Sequence, residues 1–155
     1  MKLPDEGRIM ISACLAGVAC THEATAKTRE WAVRLVAEGR AIPVCPEVAG
    51  GLPIPRPASE IQGGDGRDVV DGRARVLDEH GTDVTAQYLR GAEKARAAAA
   101  ASGARLAVLK ARSPSCGSGR TYDGTFSHTL RQGDGVTAAM LRAEGLEVVS
   151  DEEVE

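Results

Sequence analysis

Short apolar runs, each closed a little further on by a cysteine, punctuate this chain. Arg8-Ile-Met-Ile-Ser-Ala13 leads into Cys14, and Ala41-Ile-Pro-Val44 leads into Cys45. A third run, Leu106-Ala-Val-Leu109, leads through Lys110-Ala-Arg-Ser-Pro-Ser115 into Cys116. Runs of this length, bounded by Gly, Pro or Ser, predict buried strands, and Leu146-Glu-Val-Val149 predicts a fourth. Helical spacing fills the intervals. Trp31, Ala32, Leu35 and Val36 share one face of a helix over 29–38, with Thr28 as N-cap and Gly39 beyond its end. A longer helix is predicted from Val84 to about Ala101, capped by Thr82 or Asp83 and stopped by Ser102-Gly103. Its alanine run is a structural feature, since alanine favours helix and lets it pack close to a sheet. A last helix runs from Val136 to Glu144, begun by Asp134 or Gly135 and ended by Gly145.

The remaining stretches read as loops. Residues 45–67 concentrate Pro and Gly, and so long a loop beside a cysteine and an acid favours function. Asp68-Val-Val and Arg73-Ala-Arg-Val-Leu77 predict a hairpin around Asp71-Gly72, which assigns Asp68 and Asp71 to that turn. Ser127 to Gln132 reads as loop and Asp151 to Glu155 as a charged tail. The order β-α-β, loop and hairpin, α-β, α-β predicts a single three-layer α/β domain over 1–155, with a mostly parallel sheet and a small β-hairpin excursion.

Composition narrows the classes. Apolar and charged fractions of 43% and 26% are those of an ordinary soluble globular chain. A net charge of −3 argues against general nucleic-acid binding, which needs a basic stripe. No apolar run approaches the ~20 residues that span a bilayer, so no membrane role is expected. The amino-terminal residues lack a signal peptide's apolar stretch, which predicts a cytoplasmic protein with reduced thiols.

If the three cysteine-terminated strands lie parallel in one sheet, their C-terminal ends share an edge and three thiols converge on one cavity. Pro114 stops the third strand, and Gly117 and Gly119 let the backbone turn closely around Cys116. Several chemistries fit these residues. All-thiolate zinc usually needs paired C-x(2–4)-C knuckles, which are absent, and a Cys14–Cys20 disulfide needs an oxidising compartment. A thiol nucleophile at Cys116 has no histidine in an obvious partner position, since His22, His80 and His128 read as solvent-facing loop residues. Three thiolates from separate loops suit an iron–sulfur cluster with one iron open to substrate. A metal-binding or redox-sensing module without catalysis stays open as the alternative. Lys110 is a candidate to bind an anion or a substrate oxygen, with a snorkelling lysine equally compatible. Tyr122 and Phe126 could wall the pocket or fill core.

Ser12-Ala-Cys-Leu-Ala-Gly17, Cys45-Pro-Glu-Val-Ala-Gly-Gly-Leu52 with Pro55-Arg-Pro57, and Ser113-Pro-Ser-Cys-Gly117 with Tyr122-Asp-Gly-Thr-Phe126 resemble the thiouracil desulfurase (desulfidase) family. Gly81-Thr-Asp-Val-Thr85 and Gly133-Asp-Gly-Val-Thr137 are similar to further segments of it. The resemblance implies a 4Fe-4S cluster held by Cys14, Cys45 and Cys116, of a kind readily lost in air. It implies hydrolytic, non-redox removal of sulfur from a thiolated pyrimidine such as thiouracil, or a related small thio-compound, bound at the open iron. Glu47 matches the family's acid/base residue and Ser113 a polar group at the reacting centre. Ser12, Lys110, Ser115 and Tyr122 are the candidate substrate contacts. Cys20 varies in the family and is expected further out than the other thiols. Thr21-His-Glu-Ala24 departs from the usual Arg-Tyr-Asp-Gly at what should be the substrate entrance.

Overall fold

Four of the apolar runs lie side by side in the computed structural model, which describes residues 1–155. In chain order the elements are β1 (Ile9–Ser12), α1 (Glu30–Ala37), β2 (Ala41–Val44), α2 (Pro46–Ala49), β3 (Ser59–Gln62), α3 (Gly66–Val70) and β4 (Arg75–Asp78). Then come α4 (Thr85–Ser102), β5 (Leu106–Leu109), β6 (Arg120–Tyr122), β7 (Leu130–Gln132), α5 (Val136–Ala143) and β8 (Glu147–Ser150). Single 3-10 turns follow β1 (Ala13–Ala16) and β8 (Asp151–Glu153). No helix is long and apolar enough to cross a membrane.

β2, β1, β5 and β8 form one parallel sheet in that order. β1 and β5 are buried at every position, as strands paired on both sides and covered on both faces must be. Alternation divides their side chains between two layers. Ile9, Ile11 and Val108 pack with Ala32 and Leu35 of α1. Met10, Ala107 and Leu109 pack with Ala95 and Ala99 of α4 and Ala138 and Leu141 of α5. Each fully buried Ile, Leu or Met side chain contributes about 1.5–3 kcal/mol, so these two faces carry most of the drive for a three-layer α/β arrangement. A third cluster, with Ile61, Val69, Val76, Tyr88 and Val136, lies beneath the β3–β4 pair.

The long loop differs from its reading as a featureless stretch. It holds α2 and β3, and β3 rather than residues 68–70 pairs antiparallel with β4. Residues 66–70 are helical because Asp65 and Asp68 close a capping box: Asp65 Oδ1 accepts from Asp68 N at 3.1 Å, and Asp68 Oδ2 accepts from Asp65 N at 3.0 Å. Asp68 therefore caps a helix, and the hairpin turn assigned to Asp71 does not exist. Residues 130–132, read as loop, pair with β6 in a second small hairpin. Thr28 does not cap α1, whose N-cap is Arg29 with no side-chain bond. α4 begins at Thr85, one residue later than expected; Asp83 accepts from Thr85 N at 2.9 Å ahead of it.

Two glycines let α2 and α4 touch. A Cβ on Gly91 would collide with the Pro46 carbonyl, and one on Gly50 with the Gln87 carbonyl. This contact fixes the turn that carries Cys45 and Glu47. Gly91→Ala is therefore expected to lower unfolding stability by about 1–3 kcal/mol through overpacking. That is opposite in sign to the gain of about 1 kcal/mol that the same change gives in an uncrowded helix. Urea unfolding measures it, and an unchanged or raised midpoint would refute the close contact.

Candidate functional site

The chain leaves β1 for β2 on one side and returns to β5 on the other, so the strand order reverses between β1 and β5. Open α/β sheets bind ligands outside the C-terminal ends of their strands at such a reversal. A cavity of about 480 Å³ opens there. Cys14, in the turn after β1, Cys45, between β2 and α2, and Cys116, in the loop after β5, all line it. So do Glu47, Ser113, Ser12, Lys110, Ser115 and Tyr122. Phe126 is 37% exposed and does not line it.

Cys20 is not further out, as expected, but inside the same group. It is 3% exposed, and its sulfur is within hydrogen-bonding contact of both Cys14 and Cys45. The loop after Cys14 doubles back to reach this position, with Cys20 N donating to Val18 O at 2.8 Å. Cys45 Sγ also lies 3.6 Å from Cys20 O. All four cysteines are free thiols. All four line the same cavity.

The 113–117 loop is built on its own hydroxyls and on α5. Ser113 Oγ accepts from Cys116 N at 2.7 Å, and Gly117 N donates to Ser113 O at 2.8 Å. The amides that open α5 have no partners within the helix. They bond outward, Val136 N to Pro114 O and Thr137 N to Ser115 O, each at 2.8 Å. A Cβ on Gly135 would strike the Ser115 carbonyl, so only glycine admits this approach. Ser12 spends its hydroxyl on structure, accepting from Lys110 N at 2.8 Å and extending the β1–β5 pairing by one rung. Lys110 Nζ donates to Ala111 O at 3.3 Å, and Tyr122 sets its ring edge-on to His128.

Glu47, in the first turn of α2, is held from both sides. Its Oε1 accepts from Arg56 Nε at 2.9 Å and its Oε2 from Ser115 Oγ at 2.8 Å. Ser115 Oγ also lies 3.2 Å from Ser113 Oγ and 3.7 Å from Cys116 Sγ. Burial pushes the Cys116 thiol up to about 11, against the lowering effect of the Ser12 and Ser115 hydroxyls. The Cys45 thiol is raised by its contact with Cys20 and then by burial, and the Cys20 thiol chiefly by Cys14. Any metal that these thiols bind must displace their protons.

Several lining residues escaped the sequence reading. Arg56 is buried against Glu47, and its only sequence signal is an arginine held between Pro55 and Pro57. Tyr88 is 1% exposed, and burial followed by the nearby Glu47 charge raises its hydroxyl well above the ordinary value. His128, read only as a solvent-facing residue, lines the cavity though exposed, as does His22 of the 21–24 segment expected at the entrance. The charged tail is not simply solvated. Asp151 is 2% exposed and accepts from Arg29 Nη2 and from Ala111 N, each at 2.8 Å, beside the loop that leads to Cys116.

The model of the 2-thiouracil desulfurase family matches residues 9–153. A solved structure of a [4Fe-4S]-dependent thiouracil desulfidase, TudS, superposes with a TM-score of 0.85 at 45% identity, covering 96% of this chain and 93% of that one. The uncharacterised protein YbbK of Bacillus subtilis (strain 168) is 43% identical over 146 residues, 94% of this chain and 97% of that protein. For the Asp151 anchor, Asp151→Ala strands the Ala111 amide and unpairs Arg29. An unfolding cost of about 1–3 kcal/mol is expected, to be read by chemical denaturation, and a cost near zero would mean that water replaces the carboxylate.

Proposed function

The chain belongs to the 2-thiouracil desulfurase family, and from that membership we propose that it removes sulfur hydrolytically, without net redox, from a thiolated pyrimidine such as thiouracil. It is an enzyme of the thiouracil desulfidase type. The observation that carries the reading is a group of strand-end thiols sharing one cavity with a carboxylate held in a single orientation. Cys14, Cys45 and Cys116 would hold a 4Fe-4S cluster. The donor set fits: soft sulfur ligands from three separate loops, Cys14 and Cys116 buried and Cys45 half-buried, line one cavity of about 480 Å³. When bound, the cluster supplies an iron with no protein ligand, a soft Lewis acid suited to a substrate's sulfur.

The remaining chemistry falls to the chain's own groups. The carbon exchanges sulfur for the oxygen of water, and sulfur leaves as hydrogen sulfide, so two protons move and no electrons are gained or lost. Glu47 takes the proton of the attacking water as general base. While Ser115 donates to Glu47 Oε2, Ser113 is the donor in the 3.2 Å Ser113–Ser115 contact. That orders a chain from Ser113 through Ser115 to Glu47, able to move a proton to or from the carboxylate. Lys110 and Tyr122 stand on the cavity wall as contacts for the polar edge and the face of the ring.

Glu47→Gln should keep fold and cluster but slow sulfide release from 2-thiouracil or 4-thiouracil by about 10²–10⁴-fold, compared at equal iron content. Turnover like that of the wild type would remove Glu47 from the mechanism. Single Cys→Ala changes at 14, 45 and 116 should abolish bound iron and sulfide after anaerobic reconstitution, whereas Cys20→Ala should retain them. Equal loss in all four would instead describe a site built from four thiolates.

A further inference from the structure

Arg56 is a buried cation on a proline-rich turn, and isolated burial of a guanidinium costs several kcal/mol unless it is paired and fully bonded. Its side chain is 4% exposed. The three nitrogens go to three partners: Nε to Glu47 Oε1 at 2.9 Å, Nη2 to Cys20 O at 2.9 Å and Nη1 to Pro53 O at 3.2 Å. Its own amide donates to His22 O at 2.9 Å. One residue thus joins the loop after β1, the turn after β2 and its own turn. A planar fork of donors can bridge a carboxylate and a carbonyl at once, which a lysine ammonium cannot do with the same geometry.

We propose that Arg56 is a positioning residue for the desulfuration, locking the Glu47 carboxylate in its reactive orientation and tying the Cys20–His22 segment down as the facing wall of the cavity. The inference rests on the reading of Glu47 as proton acceptor. A glutamate has three side-chain torsions, and a base displaced by about 1 Å can cost on the order of 10²-fold in rate. With Oε1 on Arg56 and Oε2 on Ser115, the carboxylate plane is set from two sides, and its free lone pairs alone remain for water.

The test compares Arg56→Met, Arg56→Lys, Glu47→Gln and the double variant Arg56→Met/Glu47→Gln after reconstitution, at equal iron content, on 2-thiouracil. Arg56→Met should lower kcat by about 10–100-fold with KM little changed, and Arg56→Lys should recover part of the loss. The double variant should be no slower than Glu47→Gln, because Arg56 acts through Glu47. A second readout needs no cluster: in the cluster-free protein, N-ethylmaleimide should label Cys20 at least about tenfold faster in Arg56→Met than in the wild type, with Cys116 unmoved. The labelling also covers a variant that fails to take up iron, with Arg56→Lys as the folded comparison. Normal kcat in Arg56→Met beside a slow Glu47→Gln overturns the positioning role. So do multiplied losses in the double variant, or unchanged Cys20 labelling. Wild-type turnover by Glu47→Gln overturns instead the general-base reading on which the inference stands.

Discussion

Parallel pairing of β1 with both β2 and β5 makes three loops leave the sheet from one edge, at nearly one level. The strands are short, and their registers are fixed from Ile9 against Ala41 and Leu106 onward. Cys14, Cys45 and Cys116 therefore emerge beside one another although long stretches of chain separate them. Antiparallel placement of any one strand would send its cysteine to the far edge. Burial of β1 and β5 on both faces enforces the arrangement, because a slip of one residue would exchange the side chains meant for α1 with those meant for α4 and α5.

Holding the loops at that edge is a matter of satisfying backbone groups in a crowded place. The carbonyls of Pro114 and Ser115 are taken by the first amides of α5, so two sets of otherwise unpaired groups cancel. Ser12 supplies an extra rung to Lys110, and Asp151 does the same for Ala111. Gly91 and Gly135 then allow helices to press directly on the thiol-bearing turns. Each of these hydrogen bonds is worth about 1 kcal/mol by itself, yet all act on the turns that carry the cysteines.

Much of this was legible in the chain. The β1 and β2 runs are apolar and lead almost at once into cysteines, the β5 run reaches Cys116 through the 110–115 loop, and the helices α1, α4 and α5 show their period and terminal glycines. The hairpin was misplaced because Asp71-Gly72 looks like a turn, while Asp65 three residues before Asp68 marks a helix start that competes with it and wins. β3 was hidden by its polar composition: Ile61 is its one apolar residue, and Glu60 is buried because it accepts the amides of Gly124 and Phe126. Arg56 and Cys20 could not be placed because their partners lie on other loops. No local pattern records a guanidinium that meets Glu47 and the Cys20 carbonyl together.

The two rims of the cavity are tethered very differently, and this bears on how the family can diversify. The 122–128 rim hangs from β3, with Glu60 accepting the Gly124 and Phe126 amides and Gln62 Nε2 donating to Gly124 O at 2.6 Å, and reaches no thiol-bearing loop through these bonds. The 20–23 rim shares Arg56 with Glu47, so a change there is transmitted to the carboxylate. A change on the first rim therefore alters the wall of the cavity alone, while a change on the second also moves the carboxylate's partner. Thr21-His-Glu-Ala24 lies on that coupled side, so a substitution there reaches the Glu47 carboxylate through Arg56 as well as the cavity wall.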